Sequence, residues 1–163
     1  MFDRGGMGNN RGRRGGGAAA ATIEYRDLDE IISTKSTYTF SAMDIGTAAA
    51  DRYVLVVTAS SGGSSDVAVS AATIGGVSAT NLYVVNSSPS KIGLAFLIAN
   101  VTSGTTGDVV VTWDRSRNRC SAAAYRLDGL VTPLTAEDTA LDQTSSSGSL
   151  TLDVNTSDGG VMI

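Results

Sequence analysis

Arg52-Tyr53-Val54-Leu55-Val56-Val57-Thr58-Ala59 carries apolar side chains on both faces of an extended chain: Tyr53, Leu55 and Val57 on one, Val54 and Val56 on the other. Successive side chains of a strand point to opposite sides of the sheet. A strand apolar on both sides is covered on both, which places this one at the centre of a sheet.

Working outward, the neighbouring runs also read as strands. Thr37–Ala42 alternates, with Tyr38, Phe40 and Ala42 on one face and Thr37, Thr39 and Ser41 on the other. Ser60-Ser61-Gly62-Gly63-Ser64-Ser65 predicts a turn. Asp66–Ile74 and Val77–Val85 flank Gly75-Gly76, a two-residue hairpin signal, because both glycines accept positive φ. Lys91–Ala99 predicts a strand with Ile92, Leu94, Phe96 and Ile98 inward. Val101–Gly107 is a polar turn, and Asp108–Trp113 sets Val109, Val111 and Trp113 against Asp108, Val110 and Thr112. Cys120–Leu127 follows, then a longer connection with Pro133, then Ser149–Val154 and a turn at Thr156–Gly160. Val161-Met162-Ile163 starts another apolar run, from which the domain is expected to continue beyond residue 163 in the full chain. Eight to ten short strands with two prolines predict an all-β fold, an antiparallel β-sandwich of jelly-roll or Ig-like type, over 36–163.

Residues 1–20 are of another kind. The first seventeen hold seven glycines, and residues 1–14 place Arg4, Arg11, Arg13 and Arg14 against Asp3, a net +3. The remainder carries a net −7. A Gly/Arg-rich segment cannot bury enough apolar surface to offset the entropy of ordering. It predicts an extended arm that takes its order from another surface, with Phe2, Arg4, Arg11, Arg13 and Arg14 as the anchoring residues. Residues 21–35 read as a connector, in which Asp27-Leu28-Asp29-Glu30-Ile31-Ile32 suits a short helix with acids at its N-terminal end.

Several chemistries lack their residues. The chain has no histidine, which removes the commonest general base and metal ligand. Its single cysteine, Cys120, allows no intrachain disulfide and suits a buried core thiol; Arg119, beside it, points to the opposite face. Lys35 and Lys91 sit in no Ser-Lys motif, and no Gly-x-Ser-x-Gly elbow occurs. Asp27, Asp29 and Glu30, with Asp44, Asp51 and Asp66, supply carboxylates, read chiefly as solvated acids near strand ends. No Asp-x-Asp-x-Asp-Gly loop marks a calcium site. These absences predict no catalytic residues, no cofactor and no metal. No stretch approaches the roughly 20 apolar residues of a membrane span. Arg-Gly arms also bind nucleic acid, but only Phe2 interleaves an aromatic here, which argues against it.

Asp114-Arg115-Ser116-Arg117-Asn118-Arg119 is the densest charge cluster of the body. It predicts a hairpin tip, with Arg115, Arg117 and Arg119 able to contact a neighbouring subunit or an anionic glycan. Trp113, Tyr83 and Tyr125 are the aromatic candidates for a sugar surface, although their strand patterning suits core or sheet-facing positions.

Asp51-Arg52-Tyr53-Val54-Leu55-Val56-Val57, Thr73-Ile74-Gly75-Gly76-Val77, Gly107-Asp108-Val109-Val110-Val111-Thr112-Trp113 and Cys120-Ser121-Ala122-Ala123-Ala124-Tyr125-Arg126-Leu127 resemble a recurrent β-sandwich of tailed-phage virion proteins. Such domains occur in head fibres, decoration proteins and tail tips. The resemblance covers roughly 36–163 and brings no catalytic residue. It implies a non-enzymatic structural protein of the virion, anchored to capsid or tail subunits through its arm and assembled as a homo-oligomer. The alternative it implies is a host-adhesion module that binds a surface glycan.

Overall fold

A computed structural model of the chain describes residues 21–63, 67–87 and 92–130. Among the described residues, nine strands form two antiparallel sheets. β1 (Thr22–Ile31), β9 (Arg119–Asp128), β3 (Tyr53–Ser61), β7 (Ile92–Asn100) and β6 (Thr80–Ser87) form one, in that spatial order. β2 (Lys35–Asp44), β8 (Thr106–Arg117), β4 (Val69–Ile74) and β5 (Val77–Ser78) form the other. The fold is an antiparallel β-sandwich. The strand expected from Ser149–Val154, the run at Val161–Ile163 and the arm lie outside the described residues.

β3 holds the central place that its two-faced pattern predicts, paired with β9 on one side and β7 on the other. Val54 and Val56 face the second sheet, where they join Tyr38, Phe40, Ile74, Leu97, Val109, Val111 and Trp113. Leu55 faces the other way, buried with Tyr53, Ile98 and Leu127 in a second apolar cluster. The five-stranded sheet is therefore apolar on its outer face as well. That explains a departure in β7. Ala95, Leu97 and Ala99 point into the shared core, while Leu94, Phe96 and Ile98 lie on the outer face and Ile92 is exposed. The smaller set goes inside because the indole of Trp113 already fills that space: a Cβ on Gly93 would stand 2.9 Å from its Cζ3 atom.

The Gly75-Gly76 hairpin forms as predicted, with φ of 56° and 79° between β4 and β5. The run Val77–Val85 does not stay in one sheet. It crosses at Ala79, so β5 pairs with β4 and β6 pairs with β7. In β2, Tyr38 and Phe40 are buried as expected, but Ala42 is not. A bulge places Ala42 at φ 55° and lets Met43 take the inward position.

Residues 21–35 are not a connector with a short helix. Thr22–Ile31 is β1, paired with β9 from Thr22↔Asp128 to Ile31↔Cys120. The ladder to β9 and the ring contact of Tyr25 with Tyr125 (centroids 5.7 Å apart, interplanar angle 69°) outweigh a weak local helix signal. The sandwich thus starts at residue 22 rather than 36.

Candidate functional site

The cross-strand pairs define two poles. Ile23, Leu127, Tyr53 and Asn100 form a row across one end of the five-stranded sheet, where the chain enters β1. Ile31, Cys120 and Ser60 mark the other, beside the β8–β9 connection.

Arg52 builds the first pole. Its guanidinium is fully buried. Nε donates to the carbonyl of Val101 at 2.7 Å, and the terminal nitrogens donate to those of Ser103 (2.8 Å), Gly104 (2.9 Å) and Gly46. Burial lowers its pKa from the usual arginine value. One side chain thereby ties the β2–β3 loop to the β7–β8 loop by charge-assisted bonds. Above it lies a shallow groove of about 450 Å³ lined by Thr73, Gly75, Gly76, Ser103, Thr106 and Asp108, among others. Its walls are glycine backbone, short polar groups and Val110, and Asp108 is committed in part to the backbone N–H of Ala42 (2.9 Å).

The second pole departs from expectation. β8 runs through Arg117 and β9 starts at Arg119 in the other sheet, so Asp114–Arg117 is the end of a strand and Asn118 the corner between layers, not a hairpin tip. Arg115 and Arg119 are exposed, but Arg117 is fully buried and is not available for a subunit or glycan contact. Arg117 Nε donates to Ser60 Oγ at 3.2 Å, and the Tyr38 hydroxyl donates to the Arg117 carbonyl. Burial lowers the pKa of Arg117 and raises that of Tyr38. Asn118 makes the turn, its N–H donating to the Ser61 carbonyl at 2.9 Å. Arg119 reaches Glu30 of β1 at 3.8 Å, with both side chains about half exposed.

Cys120 is buried, as expected. Trp113 Nε1 donates to its sulfur at 3.4 Å, and the Thr58 hydroxyl lies 3.3 Å from it. Burial pushes the thiol pKa up, which disfavours the thiolate that nucleophilic chemistry needs. Trp113 is core, and Tyr83 and Tyr125 are half-buried on the sheet.

A third exposed feature is β1 itself. Among the described residues it is the edge of its sheet. A bulge between Tyr25 and Asp27 makes Arg26 the extra residue. Tyr25 and Leu28, three apart, consequently share the outer face with Ile23, opposite Tyr125, Ala123 and Leu127. Ile23, Tyr25 and Leu28 are 39%, 57% and 60% exposed. The remaining β1 side chains are mostly acidic: Glu24, Asp27, Asp29 and Glu30. Arg26 swings toward β2, holding Asp44 at 2.7 Å and Glu24 at 2.8 Å. The Arg26 hydrogen bond lowers the pKa of Asp44, assisted by the Gly46 N–H. Asp27 accepts from the N–H groups of Leu28 (2.8 Å) and Asp44 (2.9 Å), and Asp29 from that of Glu30 (2.7 Å). These carboxylates fasten backbone and arginine.

Phe2, Arg4, Arg11, Arg13, Arg14 and Asp66 lie outside the described residues. Among the described residues, no group of three or more His, Cys, Asp and Glu side chains could hold a metal ion. The β1 edge escaped the sequence reading, although the spacing Ile23, Tyr25, Leu28 with an intervening arginine was its signal. No family model matches the chain, and no curated protein matches it.

Proposed function

We propose that this chain is a non-enzymatic structural protein of a tailed-phage particle, a head-attached fibre or decoration protein held by its N-terminal arm. The observation that supports this most is the junction of arm and body. The arm leads directly into β1, a ten-residue strand paired along its length with β9. Tension on the arm pulls β1 lengthwise, so the whole ladder resists in shear. β9 is in turn paired with β3 at the centre of the sheet. A load is thereby spread through the sandwich before any one hydrogen bond yields.

The arrangement of the poles fits the same role. The arm enters at the Arg52 pole, while the exposed Arg115 and Arg119 sit at the other. A body anchored at one end presents the opposite corner outward, to a neighbouring subunit or an anionic glycan. The alternative role, host adhesion, would use that outward corner or the groove beside Asp108.

The test replaces Arg4, Arg11, Arg13 and Arg14 by serine in the full chain. Particles are purified from cells producing either protein, and the chain is quantified by mass spectrometry. The serine variant is expected to fold normally by circular dichroism and to be missing from particles. Equal incorporation of the two proteins overturns the anchor.

A further inference from the structure

We propose that the edge of β1 away from β9 is the receptor for the basic arm of a second copy of this chain, which adds to the sheet as a further strand. The inference rests on the reading of the arm as an anchor, and it names the surface that receives it.

Three observations lead there. First, β1 offers a ten-residue edge with no partner strand among the described residues on the side away from β9. Natural edges are blunted by charged side chains, bulges, proline or a short length. β1 is long, and its guards are a bulge at Arg26 and a mostly acidic set of charges, which repel another acidic edge but attract a basic strand. Second, Ile23, Tyr25 and Leu28 line the outer face of that edge and are exposed. An added strand would cover them with the aliphatic stems of arginine, and Tyr25 offers a ring to a guanidinium. Third, the edge carries Glu24, Asp27, Asp29 and Glu30 against Arg26 alone. The arm carries Arg4, Arg11, Arg13 and Arg14 against Asp3 alone. The two surfaces are opposite in charge, and glycine lets a backbone approach closely.

The charge pattern also selects among occupants. Two β1 edges paired with each other would set acids against acids, which is destabilising. A basic segment reverses the sign of that interaction. Asp27 and Asp29 now accept from the N–H groups of Leu28 and Glu30 in exposed positions. On pairing, those N–H groups would turn to the incoming carbonyls, and the oxygens they leave to the arginines, while Asp27 keeps its bond from the Asp44 N–H. The exchange loses little, because a hydrogen bond in an exposed position competes with water and adds little net stability. The occupant is an arm from another copy, because only an exchanged arm joins the bodies of the homo-oligomer that the proposed role calls for.

The experiment uses two full-length charge-reversed proteins. One carries Arg11→Glu, Arg13→Glu and Arg14→Glu; the other carries Asp29→Arg and Glu30→Arg, both at exposed positions. Sedimentation at low salt is expected to show self-association of the unaltered protein. Each variant alone should associate at least tenfold more weakly, and an equimolar mixture of the two should recover it. A monomeric unaltered protein, association unmoved by either variant, or a mixture that stays monomeric each overturns the proposal. Should the β1 variant fail to fold, a second measurement decides. Arg13→Lys in otherwise unaltered protein is coupled by carbodiimide to nearby carboxylates in a mixture of isotopically light and heavy copies. Light–heavy links from the position-13 lysine to Asp27, Asp29 or Glu30 support the exchange, and links within one isotope only, or none to β1, overturn it. If the serine variant is lost from particles while no association occurs in solution, the anchor stands and this receptor does not.

Discussion

At the scale of single residues, two positions carry more of the fold than their chemistry suggests. Arg52 looks like a surface arginine at the start of a strand, yet it is fully buried and bonded to backbone carbonyls of two loops, at Gly46 in one and at Val101 and Ser103 in the other. Nothing in the local sequence marks those acceptors, because they come from loops on either side in the chain. Gly93 is the other. It lies in β7 opposite Ser60, and an added Cβ would stand 2.9 Å from both Trp113 Cζ3 and Val67 Cγ2. Its backbone φ is ordinary, so the requirement is one of space alone. Gly93→Ala is therefore expected to cost about 1–3 kcal/mol, the usual penalty of overpacking. Urea denaturation should show a lower midpoint with an unchanged slope, because one added methyl hardly alters the surface exposed on unfolding. Full stability in the alanine variant would mean that the indole has room to move.

At the scale of elements, β1 and β2 show how side chains join the two sheets at one flank. Arg26, the bulged residue of β1, bonds Asp44 of β2, and Asp27 accepts from the Asp44 N–H. The pKa of Asp44 lies below its ordinary value in the folded protein. Its contribution is therefore complete above the ordinary carboxylate pKa and is lost as pH falls through the lowered one. The stability difference between the unaltered protein and Asp44→Asn should be largest near neutrality and shrink below pH about 4. Urea titrations at stepped pH would check this; a difference that persists unchanged into acid would show that the carboxylate charge is irrelevant. The elements also differ in how openly the sequence declares them. β3, β8 and the Gly75-Gly76 turn were legible, because their signals are local: apolar content on two faces, strict alternation, and paired glycines. β1 was not, because its stability comes from β9, far along the chain, while its own Asp27–Ile32 resembles a helix start. The orientation of β7 was hidden too, since period-two patterning cannot say which apolar face is inner when both are covered. Of the candidate site, Arg115 and Arg119 were legible as exposed cations. Arg117 was not, because its burial depends on Ser60 and Tyr38 from other strands.

At the scale of the whole molecule, the unusual property is that one sheet is apolar on both faces. The shared core between the sheets holds Leu97, and the outer cluster holds Leu55; both side chains are fully buried. In a two-layer sandwich with one wet face, truncating an outward residue costs little, because water already meets it. Here Leu55→Ala and Leu97→Ala are each expected to cost about 2–5 kcal/mol, the range for a leucine removed from a packed interior. The two side chains belong to separate clusters on opposite faces of the sheet, so they share few neighbours. The double variant should then lose close to the sum of the single losses. Denaturation of the four proteins in urea would measure all three quantities. A near-neutral Leu55→Ala would mean that the outer cluster adds nothing to stability. A large loss there would establish that the outer cluster supports the sheet in which β1, β9 and β3 are paired.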